Sequence, residues 1–315
     1  MACNDLFCGY TELAAIHFND AFHAEEAVDM SDMFAYCRRL SSLNLFQLDT
    51  SSAEDMSRMF YCCESLTALE PKPLNTSRVK NMEGMFSNCT SLVRLNLQGL
   101  NTSNVENMAN LFAGCTNLTT LACMGMDTSN VVNMSGMYSG LSSMKSITVS
   151  LLDTSKVTDM SNMFSDCIVA NSITLGQIDT SNVENMSGMF RNCEKLYSLD
   201  SGSLNTSKVT DMSEMFYNCY VMRSFNLRSF DTSNVTTMRS MFEWCFSVER
   251  LDVSHFHTPK VRDFSRMFYG CKYLTIVDVL DYDVSSMETA KDMFSGCGNL
   301  NLEFKKLGGE YIWSS

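Results

Sequence analysis

Apolar positions recur along this chain in a fixed frame of 26 residues. Each copy reads Asp/Asn-Thr-Ser-x-Val-x-Asp/Asn/Thr-Met-x-x-Met-Phe-x-x-Cys-x-x-Leu-x-x-Leu-x-Leu-x-x-Leu, and copies open at residue 23 and every 26 residues thereafter to Asp283, eleven in all. The Val column holds Val79, Val105, Val131, Val157, Val183, Val209, Val235 and Val261. The aromatic column runs Phe34, Phe60, Phe86, Phe112, Tyr138, Phe164, Phe190, Phe216, Phe242, Phe268 and Phe294. A fixed period of this size signals one small unit stacked on copies of itself.

Within a copy, apolar residues from Val to Met to Met-Phe to Cys are spaced by threes and fours, which is a helical signal. The residue before the first Met is Asp, Asn or Thr in every copy, from Asp29 and Asp55 to Thr289, and each supplies a side-chain oxygen suited to an N-cap. The spacing therefore predicts a short capped helix of one or two turns per copy. After the Cys the pattern changes to Leu-x-x-Leu-x-Leu, as in Leu92-Leu95-Leu97, whose alternating tail reads as a strand. The expected fold is an α/β repeat: a right-handed leucine-rich-repeat solenoid with parallel strands on one face and short helices or 3-10 turns on the other. One domain is expected over residues 1–315, with a partial N-terminal rung at 1–22, repeats at 23–300 and a C-terminal cap at 301–315. Lysines at 305 and 306 suit a last strand that must discourage edge pairing.

Composition narrows the function classes. Lys and Arg number 23 against 36 Asp and Glu, a net charge of −13, and the cations are dispersed singly, which argues against nucleic acid. No stretch approaches the roughly 20 apolar residues of a membrane span, so no membrane insertion is expected. The opening residues lack the basic start and apolar run of a secretory signal.

Ten of the 14 cysteines fall in one column, Cys37, Cys63, Cys89, Cys115, Cys167, Cys193, Cys219, Cys245, Cys271 and Cys297, and Leu141 fills the remaining slot. A leucine replaces a small buried hydrophobe but not half of a disulfide or a metal ligand, so the column reads as core thiols. Rung-to-rung disulfides are the competing reading, against which parallel side chains in register give poor bridging geometry. Zinc would need clustered ligands that the column does not supply.

The Asp/Asn column offers stacked carboxylates to calcium, yet Asn75, Asn101 and Asn205 show charge to be dispensable there. What Asp and Asn share is an acceptor that closes an Asx turn. The adjacent Thr column, Thr50 through Thr258, reads as a hydrogen-bonded ladder filling that turn, with ice binding through a regular Thr face as a minor alternative. Two histidines close in sequence, His255 and His257, lack a third metal ligand. No phosphate loop or nucleophile elbow is present, and no enzyme, metal or cofactor is expected.

The strings Asp-Thr-Ser-x-Val-x-x-Met-x-x-Met-Phe and Cys-x-x-Leu-x-x-Leu resemble those of the BspA-like leucine-rich-repeat surface proteins, in the class with mycoplasma-lipoprotein-type 26-residue repeats. The resemblance covers residues 23–300. It implies a surface or secreted solenoid concerned with adhesion or host interaction and no shared catalytic residues.

Core columns cannot report binding, so the informative positions are the ones the repeat leaves free. The slot between the second and third Leu turns acidic towards the C-terminal half, with Asp200, Asp252 and Asp278. In the same half, variable slots gain Tyr197, Tyr217, Tyr220, Trp244, Phe246, Tyr269 and Tyr273. Aromatic residues at exposed slots are typical anchors for proteins and sugars; local packing over the turns is the other reading. The expected function is a non-enzymatic surface or secreted recognition module that binds a protein or glycan through residues 195–280. The alternative is a structural or assembly protein, a virion or cytoskeletal spacer, that self-associates through its ends.

Overall fold

The computed structural model describes residues 3–18, 22–71, 73–199, 204–298 and 300, with the backbone of 306–307 and 310–311. Its backbone is paired from rung to rung in two places. The first is the predicted strand segment: β1 (Ala15–His17), β2 (Ser42–Asn44), β3 (Ala68–Leu69), β4 (Arg94–Asn96), β5 (Thr120–Ala122), β6 (Ser146–Thr148), β7 (Ser172–Thr174), β8 (Ser198–Leu199), β9 (Arg250–Leu251) and β10 (Ile276–Val277). These pair in parallel and in register, the central residue of each triplet facing inward as a Leu or Ile and its neighbours outward, as in Ser146-Ile147-Thr148 on Ser172-Ile173-Thr174.

Two compact units divide the chain, one comprising residues 1–145 and 151–157, the other 146–150 and 158–315. In the first, β1 pairs with β2, and β3, β4 and β5 form one sheet; in the second, β6, β7 and β8 form a sheet and β9 pairs with β10. No strand forms at 224–226, where Phe225 takes the slot that Leu, Ile or Val fills elsewhere and wedges edge-on against Phe216 and Phe242, at 5.0 and 5.3 Å. Of the expected C-terminal cap, only an antiparallel pair is described, β11 (Lys306–Leu307) with β12 (Glu310–Tyr311). Its other residues, and Ala21 of the partial rung, lie outside the described residues.

The second pairing replaces the expected helices. Among the described residues there is no α- or 3-10 helix. The segment from the first Met to the Cys is instead a run of overlapping turns, bonded both inward and to the next rung. In one rung, Met59 N donates to Met56 O at 3.3 Å, Tyr61 N to Arg58 O at 2.9 Å and Cys63 N to Phe60 O at 3.2 Å. The alternate amides cross to the next rung, Met56 N to Asn81 O at 3.0 Å, Arg58 N to Glu83 O at 2.7 Å and Phe60 N to Met85 O at 2.9 Å. A parallel bridge such as Asp55 to Asn81 opens each segment. Arg58 and Cys62 have φ of 54° and 57° as the third residues of their turns, the geometry of a type II turn. That φ is incompatible with a right-handed helix, and the three-and-four apolar spacing that read as a helix is the spacing at which these turns point inward.

The residue before the first Met does accept the bond assigned to it, Asp55 Oδ1 from Ser57 N at 2.7 Å and Asp211 Oδ1 from Ser213 N at 2.8 Å, but it opens a turn instead of a helix. The Asp/Asn column closes Asx turns as expected, for example where Ser51 N donates to Asp49 Oδ1 at 2.9 Å. Those bonds from Ser51 hold the Asp49 carboxyl below the usual range. The Thr column is buried, Thr206 fully so, and its hydroxyls bridge rungs: Thr206 Oγ1 donates to Asp231 O at 2.9 Å and accepts from Asp231 N at 2.8 Å. Hydroxyls enclosed in this way present no face to ice, which removes that alternative.

The core is a set of columns. In the first unit, the rings of Phe34, Phe60 and Phe86 stack at 5.5 and 5.7 Å, nearly parallel; in the second, Phe164, Phe190 and Phe216 stack at 5.6 Å each. Each buried Phe contributes about 1.5–3 kcal/mol through burial. The cysteine column lies beside it as free thiols, which donate to the carbonyl of the previous rung's Phe, as Cys193 Sγ does to Phe164 O at 3.2 Å. Burial pushes these thiols up: Cys37 and Cys297 to about 11, Cys115 to about 12, and Cys89, Cys193 and Cys245 well above the ordinary value.

Truncating one ring of the stack, Phe190→Ala, is expected to cost about 3–5 kcal/mol in urea unfolding, the usual cost of a large core cavity. The thiol column sets a pH dependence. Unfolded thiols titrate near about 8.5 while the folded ones keep their protons, so above that value the unfolded state binds fewer protons and stability falls as pH rises. Denaturation midpoints measured across pH 7–11 are expected to be level to about 8.5 and to decline steeply beyond it; a level profile to pH 11 would show the thiols to be accessible.

Candidate functional site

The left-handed residues recur at two slots per rung, four residues apart, and their side chains stand on the turn face. Most are Asn, Asp or Gly, the residues that adopt φ > 0 at least cost. Each such side chain lies towards the same slot of the next rung, so its follower must make room or bond to it. A Cβ built on Gly136 would sit 2.2 Å from Asn110 Oδ1, and one on Gly188 would sit 2.3 Å from Asn162 Oδ1. In some rungs a follower that is not Gly is a partner, as when Asn192 Nδ2 donates to Asp166 Oδ1 at 2.7 Å and Asn218 Nδ2 to Asn192 Oδ1 at 3.1 Å.

Trp244 breaks this preference. It has φ 59°, and for a bulky residue that region costs about 1–3 kcal/mol. Its indole lies across Gly270, where a Cβ would come within 2.6 Å of the ring, and meets Tyr269 edge-on at 5.4 Å and 80°. Tyr269 is capped by Arg266, whose guanidinium carbon is 4.2 Å from the ring centre. Glu243, 2% exposed, accepts from Arg266 Nε at 3.0 Å, and its bonds hold the guanidinium pKa up. Along the same slots Arg191 covers Tyr217 at 5.1 Å and is paired with Glu214. Trp244 remains 39% exposed, so the ridge carries an aromatic surface braced by charge pairs of which Glu243 is the buried member.

Three of the predicted residues, Tyr217, Trp244 and Tyr269, thus share the turn face. Tyr220 and Tyr273 form a second group just past the cysteines. Tyr220 stacks on Phe246 at 4.8 Å, Phe246 meets Tyr273 edge-on at 5.0 Å, and Lys272 lies over both Phe246 and Tyr273 at 5.3 and 5.7 Å. Tyr197 is exposed immediately before β8. Asp252 and Asp278 belong to neither group: they follow β9 and β10 and hold turns, Asp252 Oδ1 accepting from Ser254 Oγ at 2.8 Å and Asp278 Oδ1 from Leu280 N at 3.0 Å. Asp200 lies outside the described residues. His255 Nε2 is 2.9 Å from Leu227 O, a backbone contact in place of a metal pair with His257.

Sequence reasoning missed Arg191, Arg266, Glu214 and Glu243. Each sits on the turn face in a slot 26 residues from its partner or close to it. Opposite charges 23 residues apart in adjacent copies, Arg191 with Glu214 and Glu243 with Arg266, were the available signal.

Three successive stretches, residues 2–122, 121–224 and 197–307, match the model of a family described as Mycoplasma protein of unknown function, DUF285. Among curated proteins no match is found. Similar solved structures include a leucine-rich repeat protein from Bacteroides ovatus, with 19% identity, a TM-score of 0.45 and coverage of 78% of this chain and 68% of that one. Another is a leucine rich cell surface protein from Faecalibacterium prausnitzii, with 17% identity, a TM-score of 0.46 and coverage of 86% and 74%.

Trp244→Asn is expected to change the unfolding free energy by less than about 1 kcal/mol, because relief of the left-handed strain offsets the lost ring packing. Gly270→Ala, at φ 70° and against the indole, is expected to destabilise by about 1–3 kcal/mol. In the Trp244→Asn background that cost should shrink, a coupling that a double-mutant cycle by urea unfolding measures.

Proposed function

The chain belongs to the DUF285 family, the mycoplasma-type repeat class its sequence resembles, and from that premise we propose that it is a recognition module that binds a protein partner, without catalysis, through the turn face of its second unit. The observation that carries this reading is Trp244: a large aromatic residue in a backbone conformation that disfavours it, half exposed, and braced by Tyr269, Arg266 and the buried Glu243. Strained side chains persist where the surroundings over-determine them, and they cluster at functional sites.

Its neighbours support the same reading. Trp, Tyr and Arg are the residue types enriched at energetic centres of protein interfaces, and here they are already ordered by cation-π and ion-pair contacts. Tyr220, Phe246 and Tyr273 extend the aromatic area past the cysteines, and Tyr197 lies nearest the strand face. The resemblance to surface proteins supports the cell exterior as the place where such a partner is met. A glycan is the other ligand class that stacks on exposed rings, and the experiment below separates the two.

The triple substitution Tyr217→Ala, Trp244→Ala and Tyr269→Ala is expected to abolish capture of biotinylated surface proteins of cultured epithelial cells by the immobilised chain, with cooperative thermal unfolding retained. Enzymatic removal of glycans from the extract beforehand should leave capture by the parent chain intact. Capture that the triple variant keeps in full, capture lost on deglycosylation, or no capture by the parent chain overturns the reading.

A further inference from the structure

The first unit carries the same arrangement a second time, at residues the aromatic-rich half of the sequence draws attention away from. Among the described residues, two left-handed non-glycine residues are aromatic, Trp244 and Tyr36, the latter with φ 60°. Tyr36 meets Tyr61 edge-on at 5.2 Å and 79°, against 5.4 Å and 80° for Trp244 and Tyr269. Tyr61 is capped by Arg58 at 4.9 Å, as Tyr269 is by Arg266, and the strings Arg58-Met59-Phe60-Tyr61 and Arg266-Met267-Phe268-Tyr269 coincide. Each guanidinium is tied to a carboxylate of the preceding rung, Arg58 to Asp32 at 3.0 Å and Arg266 to Glu243. The copies differ in detail: Glu243 stands directly before Trp244 and Asp32 four residues before Tyr36, Gly270 follows Trp244 where Cys62 follows Tyr36, and Arg266 Nε donates to Glu243 whereas Arg58 Nε is buried without a hydrogen-bond partner.

Core packing does not require this set, because rungs such as the one from Asn101 to Met126 fill the same slots with Asn110, Ala113 and Gly114 and keep the same turns. We propose that Tyr36, Arg58 and Tyr61 form a second recognition site of the class built by Trp244, Arg266 and Tyr269, and that both take one kind of occupant: a protein segment presenting a lysine or arginine side chain against the left-handed aromatic ring. The proposal rests on the reading of the second unit as a protein-binding surface.

The cationic occupant follows from charge and from what these rings already hold. Each set has more carboxylates than guanidiniums, Asp5 and Asp32 against Arg58 and Glu243 and Asp292 against Arg266, in a chain of net charge −13. In every rung just cited the chain's own cation covers the Tyr, not the left-handed aromatic. Beside Tyr36 the preceding rung opens into a shallow depression lined by Cys8, Gly9, Tyr10, Thr11, Glu12 and Leu13, which adds apolar surface, its Glu12 being paired with Arg39 at 2.6 Å. A cation over an aromatic face is attracted by the ring quadrupole, Trp most strongly, so the second-unit site is the tighter of the two.

The test selects a random 12-residue peptide library on the parent chain and titrates the enriched peptides by calorimetry against the parent, Tyr36→Asn, Trp244→Asn and the double variant. Asn is the commonest non-glycine residue at these left-handed slots and leaves the net charge unchanged, so neither misfolding nor a general loss of attraction accounts for an effect. The expected result is peptides enriched in Lys or Arg that bind two per chain, one per chain in each single variant and none in the double. Binding of one peptide per chain that Trp244→Asn removes and Tyr36→Asn does not overturns the second site and leaves the first standing. Peptides without Lys or Arg overturn the proposed occupant. Binding that neither substitution changes, or no enriched peptide, overturns both sites.

Discussion

Everything in this molecule depends on where a rung sends its backbone hydrogen bonds. A helix would keep them within the rung; here alternate amides of the turn segment cross to the next one, as Met186 N does to Asp211 O and Phe190 N to Met215 O. That crossing is possible only because two residues per rung turn left-handed, which folds the segment flat enough for its carbonyls to face its neighbour. The Thr hydroxyls and the cysteine thiols serve the same end, each bonding a carbonyl of an adjacent rung. Hydrogen bonding and the Phe stack therefore run along the same direction, and neither is complete within one copy of the repeat, which is the general condition of stacked-repeat proteins.

Much of this was legible in the sequence. The period, the inward columns, the strand at the second Leu, the buried thiols and the Asx turns follow from residue types at fixed spacing, because each column answers to a single local requirement. The turn segment did not read correctly, since inward-facing residues three and four apart are common to a helix and to overlapping turns. What separates the two is the polar side of the pattern. Gly84 and Asn88, Asn110 and Gly114, Gly136 and Gly140, and Asn162 and Asp166 stand four apart at the slots that become left-handed, and a helix has no use for such residues in its interior.

The candidate site shows the same division. Tyr217, Trp244 and Tyr269 were visible as departures from small residues in repeating slots, while Asp252 and Asp278 looked alike in the sequence and hold turns in the structure. The charged braces and the Tyr36 set were hidden because their partners lie one copy away, not nearby in sequence. Reading a repeat protein down its columns as well as along its chain is what recovers such pairs.

The nesting of each left-handed side chain over the following rung also gives the array a grammar. Asn88 lies over Gly114, and Trp244 requires Gly270, where any Cβ would meet the ring. A rung is consequently not an interchangeable brick: its surface residue and its successor's glycine form a unit of inheritance. A tryptophan-bearing rung copied without its successor would set the indole against whatever side chain came next.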